Sequence, residues 1–176
     1  ITIDGKGYTL DASSNSSIFE ITGNSHVILK DIVFANGYAN DGGAIRVESG
    51  SSVEIINCTF INNTAANNGG AIFIESDSLT SNSLITSSTF KENAAVSGGA
   101  IFVKGSSLNV SQSEFSDNVA GSYGGSIFID GILHINLTNF KGERASSGGA
   151  IYLNKTFGGY STIENSTFEN CNVTGD

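Results

Sequence analysis

The side chains of this 176-residue sequence that could do chemistry are few and scattered. Asp31, Glu48, Glu54, Glu75, Glu92, Glu114, Asp130 and Glu164 are the candidates for acid–base work. Such chemistry needs two carboxylates held at a set separation, or a bound cation with a basic residue beside it. Here the acids fall in different columns of the repeat described below and read as solvated charge that maintains solubility. An outward cluster of two or more carboxylates on neighbouring repeats is the feature that would favour catalysis instead. His26 and His134 occupy different strand positions, so a shared metal or a triad is not expected. Asp41-Gly42-Gly43 is a turn signal without a calcium-binding nonapeptide array, and Gly5-Lys6-Gly7 lacks the spacing of a phosphate loop. No catalytic residue, metal or cofactor is expected. Cys58 and Cys171 stand 113 positions apart, which is neither zinc nor redox spacing. They read as two buried thiols, because a disulfide needs Cα atoms within about 7 Å and the repeat sets them several coils apart.

Modification is a separate chemistry. Asn-x-Ser/Thr acceptor sequences occur at Asn15, Asn57, Asn62, Asn109, Asn136, Asn154, Asn165 and Asn172, none with Pro in the middle. A chain rich in Asn, Ser and Thr produces several by chance. Asn57 and Asn165 nevertheless share one column, and the register points them outward together with Asn109 and Asn154. Occupied sites would imply a secretory route in a eukaryote or archaeon.

The elements that position these residues come from an internal repeat. Gly-Gly-Ala-Ile begins at Gly42, Gly69, Gly98 and Gly148, and Gly-Gly-Ser-Ile at Gly124, with spacings of 27, 29, 26 and 24 residues. A Phe motif alternates with it at Phe34, Phe60, Phe90, Phe115, Phe140 and Phe168. Three copies read Phe-x-x-Asn, ending in Asn63, Asn93 and Asn118, while Gly37, Glu143 and Cys171 stand at the Asn position in the others. Five residues before each Phe lies an aliphatic column: Leu29, Ile55, Ile85, Val110, Ile135 and Ile163. Two residues before it lies a mostly small one: Ile32, Cys58, Ser88, Ser113, Thr138 and Ser166. After each glycine pair, Ile45/Val47, Ile72/Ile74, Ile101/Val103, Ile127/Ile129 and Ile151/Leu153 alternate with period two, as half-buried strands do.

These patterns predict an all-β parallel β-helix, a β-solenoid of about seven coils with roughly three short strands each, counting coils at Ile1–Leu10 and Phe19–Phe34. Stacked at ~4.8 Å, like positions form ladders, and the ladders are the core. The glycine pair supplies the turn and the following Ala or Ser the room for close approach. Asn63, Asn93 and Asn118 are placed to form an amide ladder. The whole of residues 1–176 reads as one repeat domain, a piece of a longer chain or assembly.

Composition sets the outer limits. Eight Lys plus Arg against seventeen Asp plus Glu give a net charge of −9, and no basic face for a polyanion, so nucleic acid is a poor partner. Only 14% of residues are charged and the apolar ones are patterned, which argues against disorder. No apolar stretch is long enough to span a bilayer. The lack of Met implies a mature or internal fragment whose signal and any anchor lie outside it.

Gly-Gly-Ala-Ile alternating with Phe-x-x-Asn resembles the repeat pair of the chlamydial polymorphic outer membrane proteins and of adhesin-like surface proteins of methanogens. Ile1-Thr-Ile-Asp-Gly-Lys-Gly-Tyr-Thr-Leu10 is similar to the first coil of such regions. The resemblance runs from Ile1 to about Phe168. It implies a right-handed parallel β-helix at the cell surface or outside the cell, serving adhesion or structure, with no catalytic residues.

Two surfaces remain as places for function. The residues between the inward pairs are Arg46, Phe73, Phe102, Phe128 and Tyr152, expected to be exposed as an aromatic stripe. Such a stripe is a ladder that stiffens the sheet, a face for self-association or a neighbouring surface protein, or a platform for glycans. The two ends would carry open strand edges that invite a further coil, a cap or a second copy. The expectation is an extracellular structural or adhesive solenoid that assembles with itself. The alternatives are a carbohydrate-active β-helix enzyme and a glycan-binding module.

Overall fold

In the computed structural model, residues 1–77, 81–154, 156 and 159–175 are described. Every regular element among them is a β-strand, and every strand pairing is parallel. The chain winds as a solenoid whose strands gather into sheets of eleven, seven and six strands. The seven-stranded sheet carries the Phe motif, in strands such as Thr59–Ile61, Thr89–Lys91 and Glu114–Ser116. Its levels number the seven coils that the sequence suggested, joined by about six turns.

Register is like over like. Phe34 pairs with Phe60, Phe60 with Phe90, Phe90 with Phe115, Phe115 with Phe140 and Phe140 with Phe168. The rings stack at 4.7 to 4.8 Å, the rise of one coil, and the first five are fully buried. The aliphatic columns line the same core from Leu29 to Ile135. At the last level Ile163 and Phe168 emerge, Phe168 to 47%.

Three corners per coil turn the chain, each through a left-handed residue. The first glycine of each pair, Gly42, Gly69, Gly98, Gly124 and Gly148, sits at φ of 63 to 65°. The second glycine permits close approach between coils, because a Cβ on Gly70 would overlap the carbonyl of Gly99, and one on Gly99 that of Gly125. So the close approach that the sequence reading assigned to the following Ala is made by this second glycine. The other two corners use residues with side chains at all but one level: Asp31, Asn57, Ser87, Gln112, Leu137 and Asn165 before the Phe, and Asn36, Asn62, Glu92, Asp117 and Asn170 after it, at φ of 49 to 56°, with Gly142 at 75° after Phe140. Asn and Asp accept this conformation through local hydrogen bonds, which explains their frequency at these columns.

Strand count varies between coils. After Gly42 the chain makes four short strands, Ile45–Val47, Ser52–Ile56, Thr59–Ile61 and Thr64–Asn68. After Gly98 the first two fuse into Ile101–Ser111, and after Gly124 into Ile127–Asn136. The turn at Glu48–Ser51 separates them in the earlier coil, with Ser51 N–H donating to Glu48 O at 3.0 Å. The shorter spacings after Gly98 and Gly124 omit it.

Candidate functional site

The stripe is built by the post-glycine strands. Glu20 pairs with Arg46, Arg46 with Phe73, Phe73 with Phe102, Phe102 with Phe128 and Phe128 with Tyr152. The four rings stack at 5.4, 4.5 and 5.4 Å, within 9° of parallel. Stacking corrects the expected exposure: Phe73 keeps only 6% of its surface, and Phe102, Phe128 and Tyr152 are half-buried. Phe102 has a ring over each face, so it presents edges to solvent. A sugar that stacks on an aromatic needs a face, and the stack has turned those inward on each other. Tyr123, from the neighbouring corner strand, tilts against Tyr152 at 4.7 Å and Phe128 at 6.4 Å and widens the apolar surface at that end.

Arg46 closes the other end. Its guanidinium lies 5.2 Å from the Phe73 ring centre, a cation–π contact. Glu20, Asp41 and Glu48 surround it at 3.8, 3.7 and 3.6 Å. This is an outward cluster of carboxylates on neighbouring coils, the feature the sequence reading did not foresee. Glu48 was visible as an acid, but its meeting with Glu20 and Asp41 depends on strand pairing and the Gly42 corner. Arg46 neutralises part of the charge of all three. Beside the stripe, Lys104 donates to Glu75 at 2.8 Å.

The histidines sit apart and do the same job. His26 Nδ1 meets Ser52 Oγ at 2.9 Å, and His134 Nδ1 meets Thr162 Oγ1 at 3.0 Å, each a rung between adjacent levels on the outer sheet face. Glu54 lies 4.0 Å from His26 Nε2, beyond hydrogen-bond reach. Among the described residues no group of three or more His, Cys, Asp or Glu is placed to hold a metal ion. Both cysteines are free; Cys58 is buried in the core as expected, whereas Cys171 at its last level is only half-buried, and burial pushes each thiol up.

Of the acceptor asparagines, Asn15, Asn57, Asn62, Asn136, Asn154, Asn165 and Asn172 are exposed. Asn109 is half-buried, and its Nδ2 donates to Asn82 Oδ1 at 3.1 Å, so its expected outward position holds only in part. Lys155, in the middle of the Asn154 sequence, lies outside the described residues, as does Asp176 at the C-terminal end.

The Asn ladder is continuous. Asn63 Nδ2 donates to Asn93 Oδ1 at 3.0 Å, and Asn93 Nδ2 to Asn118 Oδ1 at 2.9 Å. Each oxygen also accepts the backbone N–H one level back, beginning with Gly37 N on Asn63 Oδ1 at 2.8 Å. Glu143 continues the ladder where a fourth Asn would stand, a buried carboxyl that sequence reasoning passed over. Its place at the Asn position of the motif was the available signal.

The fold and its ladders define the class: the chain belongs to the right-handed β-helix family, whose description as a right handed beta helix region matches residues 2–141, well over half of its length. No curated protein and no solved structure gives a significant match to the chain.

Proposed function

We propose that the chain is an extracellular structural or adhesive solenoid, a unit of a surface filament or stalk that associates end to end and side by side. One observation carries the reading. Every level repeats the pairing of the one before, so the parallel register that joins levels within the chain would equally join a level of a second copy. The ring edges of the stripe, with Tyr123 and Tyr152, are the lateral contact. The resemblance to polymorphic outer membrane and adhesin-like proteins supports a surface location, and the exposed acceptor asparagines support N-glycosylation.

Electron microscopy of the full-length native protein tests the assembly: rods or bundles are expected, and discrete monomers would overturn the reading. The double variant Phe102→Ser/Phe128→Ser is expected to abolish side-by-side bundling while leaving end-to-end rods. Intact mass before and after deglycosylation tests the modification, and an unchanged mass rejects it.

The carbohydrate-active enzyme has one observation in its favour, the Glu20, Asp41 and Glu48 cluster on Arg46. Product release from a polysaccharide panel that disappears in Asp41→Asn/Glu48→Gln would establish it in place of the structural reading.

A further inference from the structure

The Asn column is one of the places where the repeat brings hydrogen-bonding side chains into the core, and one member of that column is an acid. Each amide does two things a turn needs. Its oxygen accepts the N–H of the level behind, and its nitrogen donates to the carbonyl of the Phe one level behind: Asn63 to Phe34 at 3.1 Å, Asn93 to Phe60 at 3.1 Å, Asn118 to Phe90 at 3.0 Å. Even Cys171, at the last level, sets its Sγ 3.7 Å from Phe140 O. By the same register the carbonyl that a donor at position 143 would meet is that of Phe115.

Glu143 fills the accepting role completely. Its Oε2 accepts Asn118 N–H at 3.0 Å and the Ser126 hydroxyl at 2.6 Å, and Oε1 accepts from Asn118 Nδ2 at 3.4 Å. The donating role requires a proton, which a carboxylate lacks and a carboxylic acid has. Among the described residues no side chain donates to Phe115 O. Ser126 is the departure in the glycine motif, standing where every other copy has Ala, and it is fully buried against Glu143. Two exceptions spaced seventeen residues apart thus meet at one point of the core.

We propose that Glu143 is a proton site built into the ladder: as the neutral acid its hydroxyl bonds to the Phe115 carbonyl and latches the Phe140 level onto the Phe115 level, and loss of that proton releases it. The surroundings favour the neutral form. Glu143 has no exposed surface and no Lys or Arg partner among the described residues. Asp117 and Cys171 are the titratable neighbours on either side; Lys141 and Glu169 pair with each other at 3.7 Å in solvent, and Arg144 and Glu114 are exposed. Burial lifts the Glu143 carboxyl from 4.5 to about 7, against the lowering pull of its Ser126 and Asn118 hydrogen bonds, with the Asp117 charge adding to the rise.

The folded chain holds this proton more tightly than the unfolded one, so the stabilisation is complete below the unfolded value and is lost as pH rises through the folded one. Between pH 4.5 and 8 this group alone raises the unfolding equilibrium constant on the order of a hundredfold.

The test has two arms. Carbon NMR of the Glu143 side chain in the native protein is expected to show a titration midpoint near neutrality; a midpoint in the usual carboxylate range overturns the proposal without any variant. Denaturation from pH 4.5 to 8 is then compared with Glu143→Gln, whose amide supplies donor and acceptor at every pH. The variant is expected to lose the decline with pH and to exceed the parent at pH 8, with amide exchange at Asn118 slowed there relative to the parent. Equal pH profiles in parent and variant would contradict the latch.

Discussion

The molecule carries two aromatic stacks, one inside and one outside, and they share a spacing but not a role. The inner Phe34–Phe168 stack and the outer Phe73–Tyr152 stack both follow the coil rise, at 4.7 to 4.8 Å and 4.5 to 5.4 Å. Like-over-like register therefore sets the stacking distance, whatever the solvent exposure. Energetic weight differs, because it follows the apolar area removed from water and the cavity left by truncation. The inner stack holds the core, whereas the outer one stiffens the sheet, hides its own ring faces and leaves edges for contact. An aromatic stripe in a solenoid is thus less exposed than alternation alone predicts.

Variants can break or sharpen that contrast. Gly99→Ala should have the largest effect, since its Cβ would overlap the Gly125 carbonyl and force adjacent coils apart in both stacks. Loss of cooperative unfolding in circular dichroism is expected. Phe90→Ala, in the middle of the inner stack, should cost about 3–5 kcal/mol by denaturant titration. Phe102→Ser, its counterpart outside, should cost about 1–2 kcal/mol, from partial burial and two ring contacts. Equal losses for the two would erase the contrast. Smallest and opposite in sign, Leu137→Asn should stabilise by about 1 kcal/mol. Leu137 holds φ 51° at a corner where 51% of its surface is exposed, so little packing is given up.

The ladders were legible because each inward column repeats one kind of side chain: Leu29 to Ile163 and Phe34 to Phe168 can be read from spacing alone. The two side-chain corners were less visible. Their left-handed residues range from Asp31 and Asn57 to Gln112 and Leu137, since the requirement falls on the backbone and several side chains tolerate it. The stripe's residues could be named but not their burial, because Phe73 is covered by Arg46 and Phe102 on adjacent levels. The carboxylates on Arg46 escaped for a similar reason: Glu20, Asp41 and Glu48 come from three different strand positions. Glu143 and Ser126 each looked like a lapse in the repeat, and their pairing emerges only when the coils are stacked.

Stacking of successive coils in register is the claim on which the rest depends, and spin-label distances test it directly. In a Cys58→Ser/Cys171→Ser background, labels at Thr59 paired in turn with Glu114, Asn139 and Thr167 occupy one outer column at increasing numbers of levels. Narrow distance distributions that lengthen by ~4.8 Å for each added level are expected. Distances that fail to grow with level number, or that spread broadly, would contradict it.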